Sequence, residues 1–383
     1  GVDVYMTGPV STPAIAFLTR DMDCQAGVVI SASHNSHEYN GIKFFSHDGS
    51  KISDNLEKKI EQHIESFSSL NLNNPQNLGK SFRALNSHNS YIRFCKNTFP
   101  SEYDLKGLKL IIDCANGATY NVAKDIFTSL GAEVVLINAN PDGFNINESC
   151  GSLHPGSLIK AVKRYKGDIG IAFDGDGDRV LMVDRNGKVY EGDQLLYIIA
   201  MHRASLGTLG GGVVGTLMSN LGLENAFRKH GILFERVSVG DRYVLEKISQ
   251  RGWLLGGENS GHIICLDKHS TGDGLVSSLQ VLAALCFSRQ SLEESCVGLH
   301  RVPHVLINVP VPPEYNFEQD NEITKSIVKI QKTLGEDGRV LVRASGTETL
   351  VRVMVEAKDL EVTQNSAEYL AGIIRSRVEG MSF

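Results

Sequence analysis

Three acidic residues alternate with glycine in the segment DGDGDR, residues 174–179. They are Asp174, Asp176 and Asp178. Glycine lets the backbone turn tightly, so the three carboxylates can converge on one hard cation, and Mg²⁺ would relieve their repulsion. Arg179 would then lie beside the metal, where it is suited to orienting a phosphate. An EF-hand is excluded because the twelfth position, residue 185, is Arg. An Asx-turn between two strands is the structural alternative.

A second segment, SASHN at residues 31–35, places a hydroxyl, an imidazole and an amide between two apolar runs. A hydrolase nucleophile elbow reads G-x-S-x-G and leads into a helix, whereas this segment lacks those glycines and leads towards a strand. The Ser33 hydroxyl near a Mg²⁺ site is instead suited to carrying a phosphoryl group. Lys43 could act there as a general acid/base or bind phosphate. An ordinary polar turn is the structural alternative.

Two further loops are rich in hydrogen-bonding groups. The segment GGENSGH, residues 256–262, presents Glu258, Asn259, Ser260 and His262, a set that suits a polyhydroxylated ligand. His262 could move a proton, although a single histidine can equally be structural. The segment RASGTETLVR, residues 343–352, presents Arg343, Ser345, Gly346, Thr347 and Arg352. Hydroxyls, a glycine N–H and guanidinium groups are suited to binding phosphate, and a plain hairpin turn is the alternative.

All four loops lie between apolar runs, which predicts four strand–loop–strand units. Strand–helix–strand patterns are predicted at 2–6, 12–22 and 27–31, at 108–113, 121–130 and 133–137, and at 212–217, 222–230 and 232–239. Units of this length favour parallel sheets with right-handed crossovers. We therefore predict a multi-domain α/β protein. It would have three similar α/β domains with mixed sheets and a smaller C-terminal α+β domain around a central cleft.

The predicted domains are named by their loops. They are the domain of loop 31–35 at 1–85, the domain of loop 174–179 at 86–185, the domain of loop 256–262 at 186–300 and the domain of loop 343–352 at 303–383. The Asn/Ser-rich stretch 69–90 and the stretch 300–320, with four prolines, are candidate linkers. Because the chain begins GVDVYMTG, without Met and within an apparent strand, we expect an N-terminal portion to precede it.

Composition limits the classes of partner. The chain has 383 residues and a formal charge of −6, which argues against nucleic acid and membrane surfaces as partners. No window approaches the roughly 18 apolar residues that would cross a bilayer. The seven cysteines contain no C-x-x-C pair, so we expect reduced thiols and a cytoplasmic location rather than zinc or disulfides.

The four loops, in this order, resemble those of the α-D-phosphohexomutase superfamily, and their detail resembles its bacterial members that act on phosphorylated glucosamine. SASHN with YNGIKFF resembles the phosphoserine loop, DGDGDR the metal loop, GENSGH the sugar loop and RASGTE the phosphate loop. The resemblance covers nearly the whole chain. Two features differ: Ser36 stands where family members usually have Pro, and the family's first strand with a T-D-G-I-R-G-like loop is not in this sequence.

The resemblance implies roles for individual residues. Ser33 would carry the phosphoryl group and would hold Mg²⁺ together with the three aspartates. Lys43 and His262 would take part in proton transfer, with Arg179 beside them. The implied substrate-binding residues are His34, Gly240, Asp241, Arg242, Glu258, Asn259, Ser260, Arg343, Ser345, Gly346, Thr347 and Arg352. Among these, Asn259 is the main indication of an amino sugar.

The implied activity is that of an isomerase. It would interconvert glucosamine 6-phosphate and glucosamine 1-phosphate through phospho-Ser33 and a glucosamine 1,6-bisphosphate intermediate, and so supply UDP-N-acetylglucosamine for cell-wall synthesis. The partner would be a small sugar phosphate, and a homodimer is left open as the assembly state. The alternatives are a glucose or mannose phosphate mutase of broader scope, a Mg²⁺-dependent sugar phosphatase and a sugar-phosphate-binding protein without activity.

Overall fold

The computed structural model describes residues 1–66, 75–313, 315–345 and 348–380. The chain forms two compact units. Unit 1 comprises residues 1–216 and 235–297, and unit 2 comprises residues 217–234 and 298–383. Loops 31–35, 174–179 and 256–262 all belong to unit 1, whereas the loop that follows Arg343 belongs to unit 2.

The strands and helices alternate along most of the chain. The strands are β1 (Val4–Met6), β2 (Ala26–Ser31), β3 (Gly41–Ser46), β4 (Ser81–Arg83), β5 (Lys109–Asp113), β6 (Glu133–Ile137), β7 (Ile169–Phe173), β8 (Val180–Asp184), β9 (Val189–Tyr190), β10 (Val213–Thr216), β11 (Phe234–Val237), β12 (Leu255–Gly257), β13 (Ile263–Cys265), β14 (His304–Pro310), β15 (Gly338–Ala344) and β16 (Leu350–Ala357). The α-helices are α1 (Thr12–Asp21), α2 (Asp54–Glu65), α3 (Ser87–Thr98), α4 (Ala123–Ser129), α5 (Gly156–Tyr165), α6 (Gly192–Ser205), α7 (Leu221–Lys229), α8 (Asp241–Arg251), α9 (Gly274–Ser288), α10 (Leu292–Ser295), α11 (Asn321–Leu334) and α12 (Leu360–Glu379).

A five-stranded mixed sheet supports the metal loop. Its order is β6-β5-β7-β8-β9, in which β5 pairs in parallel with β6 and β7 while β7 and β8 are antiparallel. Every residue of β7 and β8 is buried, as their continuous apolar sequences predict. Leu158 and Val162 of α5 pack on this sheet against Ile111. The loop 174–179 is therefore a short connection between two buried strands.

A second mixed sheet, of order β11-β10-β12-β13, supports loop 256–262. Strands β12 and β13 form an antiparallel hairpin around that loop, and β10 pairs with β12 in parallel. Helix α9 is buried along most of its length, in agreement with its apolar sequence. Asp273 caps the amino end of α9 by accepting from the N–H groups of Leu275 and Val276.

The residues around loop 31–35 form two smaller sheets. Strands β2 and β3 form an antiparallel hairpin, and β1 pairs in parallel with β4. Val29 of β2 and Phe45 of β3 pack on Ala16 of α1. The apolar runs on both sides of the loop predicted these two strands, and burial alternates along most of β2.

Unit 2 contains an antiparallel sheet of order β14-β16-β15, with α11 and α12 packed on it. Its core includes Val351, Val353 and Val355 of β16 and Leu370 and Ile374 of α12. The predicted α/β class with a C-terminal α+β part is confirmed.

The linker prediction was wrong in its details. Strand β14 runs through the stretch 300–320, and β4 lies within 69–90, of which residues 69–74 fall outside the described part of the chain. The prolines misled the prediction, since Pro303 precedes β14 and Pro310 is its last residue, where a missing N–H costs little. The alternation of His304, Leu306 and Asn308 with apolar neighbours was the better signal.

All seven cysteines lie in the described part of the chain, and none forms a disulfide. Within that same part, the helices are too short or too polar to traverse a bilayer.

A buried histidine makes one prediction about acid stability. The Nδ1 atom of His269 accepts from the N–H of Ser270 at 2.8 Å, so the proton lies on Nε2, which is 2.9 Å from the carbonyl oxygen of Pro13. Burial lowers the pKa of His269 from 6.5 to about 3. The unfolded chain therefore binds a proton below pH 6.5 that the folded chain does not, and stability is lost as pH falls towards 3.

Replacing His269 by Gln removes this titration. We expect the stability advantage of the wild type over the variant to shrink by about 1.4 kcal/mol per pH unit below pH 6.5. Urea unfolding of both proteins between pH 8 and pH 4.5 measures the difference. Burial raises the pKa of neighbouring Asp273 to about 6, so protonation of this residue stabilises the folded chain as pH falls. Asp273 is present in both proteins, so the comparison isolates the effect of His269. A constant difference across this range would contradict the assignment.

Candidate active site

The metal loop follows β7 directly and brings its three carboxylates together. One oxygen from each of Asp174, Asp176 and Asp178 lies within 4.8 Å of the others, and all three residues are buried. Gly177 adopts φ +73°, a conformation that favours glycine, so the loop can reverse direction here. The side chains that the sequence predicted to converge do converge.

Two helix amino ends hold the backbone of this loop. The N–H of Thr12, in the first turn of α1, donates to the carbonyl of Asp176 at 2.9 Å. The N–H of Gly274, in the first turn of α9, donates to the carbonyl of Gly177 at 3.0 Å. The Thr12 hydroxyl also donates to Asp176 Oδ2 at 2.6 Å. The loop is therefore fixed by two segments that are distant from it in sequence.

The donor set fits a divalent cation. The buried oxygens Asp174 Oδ2 and Asp178 Oδ1 have no hydrogen-bond partner among the described residues. Such oxygens are costly to bury unless something positive pairs with them. Carboxylate oxygens in a compact cluster are the ligands that Mg²⁺ prefers.

The pKa values of Asp174 and Asp178 are shifted in opposite directions. Burial, together with the charges of Asp178 and Asp176, raises the pKa of Asp174 well above its usual range. Burial would also raise the pKa of Asp178, but His262, Lys43 and Arg179 hold it well below its usual range. The charge of the cluster is thus partly balanced by cationic side chains.

Ser33 lies beside this cluster. Its Oγ donates to Asp176 Oδ1 at 3.1 Å, and its N–H donates to the Ser31 hydroxyl at 2.9 Å. The residue adopts φ +53°, which is uncommon for a side chain other than Gly or Asn. The structure thus brings the predicted phosphate carrier to the predicted metal ligands.

Two cationic side chains of the sequence prediction also reach the cluster. Lys43 Nζ, from β3, is 2.6 Å from Asp176 Oδ2 and 3.2 Å from Asp178 Oδ2. Burial alone would lower the pKa of Lys43, but the charges of Asp178 and Asp176 raise it above its usual value. Arg179 donates its backbone N–H to Asp174 Oδ1, and its Nε is 3.9 Å from Asp178 Oδ1.

Two histidines flank the same carboxylates. His262 Nδ1 is 3.7 Å from Asp178 Oδ1, and its Nε2 is 3.6 Å from Asp241 Oδ2. Burial would lower the pKa of His262, but these two carboxylates raise it. His34 Nδ1 is 3.4 Å from Ser33 Oγ, and burial and the charge of Arg179 lower its pKa.

The sugar-loop residues take separate positions. Glu258 is buried and accepts from the N–H of Gly240 at 3.0 Å, so two predicted substrate-binding residues contact each other. Asn259 is exposed, and its carbonyl accepts from the N–H of Gly192. Ser260 Oγ is buried without a hydrogen-bond partner among the described residues. The hydrogen-bonding capacity of this hydroxyl is therefore not used by the described residues.

Arg242 and Asp241 each contact residues that the sequence prediction did not include. Arg242 forms ion pairs with Asp54 and Glu57 of α2, the second at 2.9 Å between Nη2 and Oε2. Asp241 forms an ion pair with Lys51. The guanidinium of Arg242 is thus occupied by two carboxylates.

Unit 2, described by itself, contains a cationic pair. Arg343 of β15 and Arg352 of β16 are directly opposite each other in the antiparallel register. Burial and the charge of Arg352 lower the pKa of Arg343. Arg352 also pairs with Glu348 at 3.0 Å, whose N–H donates to the Ser345 hydroxyl. Adjacent guanidinium groups are suited to an anion. The predicted ligands Gly346 and Thr347 lie outside the described residues.

Sequence reasoning missed three residues of unit 1. Thr12 supports Asp176, Lys51 pairs with Asp241, and Asn147 donates to the Ser33 loop. The segment Ser11-Thr12-Pro13 reads as a helix start and could have located the amino end of α1, though not its partner. No local pattern marks Lys51 or Asn147.

Sequence models of one family match four consecutive segments of the chain. Their descriptions are phosphoglucomutase/phosphomannomutase alpha/beta/alpha domain I at residues 1–70, domain II at 89–187, domain III at 191–301 and the C-terminal domain at 306–373.

Curated relatives match over nearly the whole chain. Phosphoglucosamine mutase of Polynucleobacter asymbioticus is 50% identical over 374 residues, 98% of this chain and 83% of the relative. Phosphoglucosamine mutase of Methylobacillus flagellatus is 52% identical over 375 residues, 98% of this chain and 82% of the relative.

Solved structures share the fold at lower identity. A phosphoglucomutase/phosphomannomutase family protein of Burkholderia thailandensis has a TM-score of 0.79 and 23% identity, covering 98% of this chain and 84% of its own. N-acetylphosphoglucosamine mutase of Aspergillus fumigatus, solved with GlcNAc-6P and magnesium, has a TM-score of 0.73 and 18% identity, covering 96% of this chain and 92% of its own.

Proposed function

The chain belongs to the phosphoglucomutase/phosphomannomutase family, and on that premise we propose that it interconverts glucosamine 6-phosphate and glucosamine 1-phosphate. The choice of amino sugar follows the phosphoglucosamine mutases, which are about half identical to it. The observation that supports the reaction is the Ser33 hydroxyl, 3.1 Å from a carboxylate of a buried three-aspartate cluster. The substrate is a small sugar phosphate, and its product would feed UDP-N-acetylglucosamine synthesis.

The proposed reaction relays a phosphoryl group through Ser33. A sugar hydroxyl oxygen attacks the phosphorus of phospho-Ser33, and the bond from phosphorus to Ser33 Oγ breaks. The proton of the sugar hydroxyl is moved by side chains of the site to Ser33 Oγ, which becomes a hydroxyl again. The product is enzyme-bound glucosamine 1,6-bisphosphate. After this intermediate turns around, Ser33 Oγ attacks its other phosphorus, and the isomerised monophosphate leaves. Atoms balance without any co-substrate.

The chain's own residues would support this transfer mainly by alignment and charge. Asp174, Asp176, Asp178 and the Ser33 oxygen would hold Mg²⁺, which would supply charge neutralisation for the transferring phosphoryl oxygens. Lys43 and His262 are the groups that we assign to proton movement, because both reach the carboxylate cluster. Arg179 would orient the phosphoryl group.

The remaining substrate contacts are assigned from the chemistry of each side chain. Glu258, Asn259 and Ser260 would bind sugar hydroxyl and amino groups, with His34, Gly240, Asp241 and Arg242 around them. Arg343, Ser345, Gly346, Thr347 and Arg352 would bind the phosphate that is not transferred. Seven unpaired thiols suit a reducing compartment, so we place the reaction in the cytoplasm.

The test is a product assay with a phosphoenzyme measurement. Purified protein with Mg²⁺ and catalytic glucosamine 1,6-bisphosphate should convert glucosamine 6-phosphate, as followed by ³¹P NMR. A tryptic peptide should carry one phosphate on Ser33. Faster turnover of glucose 1-phosphate or mannose 1-phosphate would replace the amino-sugar assignment, net release of inorganic phosphate would indicate a phosphatase, and binding without turnover would reject an enzyme.

A further inference from the structure

The main chain of Ser33 needs external support. Its φ of +53° is a left-handed conformation that non-glycine residues adopt only when surrounding structure enforces it. The direction of the Ser33 Cα–Cβ bond, and so the position of Oγ, follows from this conformation. Whatever fixes the neighbouring carbonyl groups therefore fixes the proposed nucleophile.

Asn147 supplies that support from the metal-loop region. Its Nδ2 atom lies 2.8 Å from the carbonyl oxygen of Ser33 and 2.8 Å from that of Asn35. A carboxamide nitrogen carries two hydrogens, so one side chain satisfies both carbonyls. Asn147 is only 9% exposed, so water competes little for these bonds.

Asn147 is itself tied to the sheet that carries the carboxylates. Its N–H donates to the carbonyl of Ala115, just beyond β5, at 2.9 Å. Further along the same segment, the N–H of Ser152 donates to the carbonyl of Phe173 at 2.9 Å, and Phe173 precedes Asp174. The amide that holds the Ser33 loop is therefore fixed to the strands that position the metal loop.

A second contact restricts the same carbonyl group. A Cβ atom at Gly175 would lie 2.5 Å from the Ser33 carbonyl oxygen, so that oxygen lies close to a glycine between two of the aspartates. The carbonyl oxygen is thus close to both Gly175 and the Asn147 amide. Small displacements of this group would move Oγ away from Asp176.

We propose that Asn147 is a positioning residue for phosphoryl transfer, which holds the Ser33 loop through two carbonyl groups without contacting the substrate. This inference rests on the proposed function, since it assigns a role in transfer to and from Ser33. Misplacement by about 1 Å costs roughly 100-fold in rate, so loss of the amide should lower kcat by about 10- to 100-fold. The KM for the sugar phosphate should change less than about twofold, because no substrate contact is removed.

The experiment compares Asn147→Ala and Asn147→Asp with wild type at saturating Mg²⁺. Asn147→Ala leaves room for water to solvate the two carbonyls, whereas the carboxylate of Asn147→Asp repels them, so kcat should fall further in Asn147→Asp. The single-turnover rate of Ser33 phosphorylation by glucosamine 1,6-bisphosphate should fall in parallel with kcat. The matched control is Asn145→Ala, which removes a carboxamide from the same loop. Among the described residues, that carboxamide bonds to residues 140 and 142 and not to the Ser33 loop. The control variant should keep wild-type kcat and phosphorylation rate.

Three outcomes would overturn the proposal. They are an unchanged kcat in folded Asn147→Ala, a rise in KM that accounts for the whole loss, and failure of both variants to fold, which would make Asn147 a folding residue. Any of these results, obtained while wild type interconverts the sugar phosphates, would leave the proposed function intact. If the wild type itself does not turn over the sugar phosphates, the proposed function is rejected, and the role of Asn147 in it is rejected too.

Discussion

Ser33→Ala is expected to lower kcat by about 10⁴-fold or more, because the proposed relay carries the phosphoryl group on the Ser33 oxygen. The change removes only Oγ, whose bond to Asp176 is 3.1 Å long, and leaves the three aspartates in place. Isomerisation in both directions, measured by ³¹P NMR, gives the loss. Intact-mass analysis of the variant after exposure to glucosamine 1,6-bisphosphate should show no added phosphate.

The matched control is Ser36→Ala, which removes an exposed hydroxyl from the same loop. This variant should keep wild-type turnover and should still take up one phosphate. Activity above about one percent in Ser33→Ala, or phosphate on another residue of that variant, would end the proposed relay.

Asp176→Asn is expected to raise the half-saturating Mg²⁺ concentration and to lower kcat by at least about 100-fold. Loss of a group that only supports a metal ligand typically costs 10- to 100-fold, so loss of a direct ligand should exceed that range. The side chains of Ser33, Lys43 and Thr12 all donate hydrogen bonds to the carboxylate of Asp176. Removal of its charge therefore weakens all three contacts. Isothermal titration with Mg²⁺ measures the affinity independently of turnover.

The control for this prediction is Asp184→Asn. Asp184 is a buried acid at the end of β8, and it accepts from the N–H groups of Asn186 and Lys188. Its replacement should lower the thermal midpoint without changing the Mg²⁺ dependence. Equal Mg²⁺ affinity in Asp176→Asn and wild type would contradict the assignment of this aspartate as a metal ligand.

The local part of the structure could be predicted because each loop lies between two apolar runs. Continuous apolar residues on both sides of 174–179 required two buried strands, and β7 and β8 are those strands. Glycines within the loop indicated a tight turn, so the convergence of the three aspartates followed from spacing alone.

The contacts between residues far apart in sequence could not be predicted, because they depend on which elements pack against each other in the fold. Arg242 pairs with two carboxylates of α2, about 185 positions earlier, and no local pattern indicates these partners. The carboxamide of Asn147 resembles any polar loop residue until the fold places it against Ser33. Such partners are set by the packing of one domain on another, which no single stretch of sequence contains.

The contacts of the site span long stretches of sequence. Ser33 meets Asp176 across 143 positions, and Thr12 meets it across 164. At about 5–20 residues per second, a ribosome needs roughly 7–30 s to synthesise the interval between Ser33 and Asp176. During that time the hydroxyl exists in the nascent chain without the groups that would activate it. In the proposed relay, phosphorylation of Ser33 would therefore follow synthesis and folding of the metal loop, and the modified serine would report that this contact has formed in a newly made molecule.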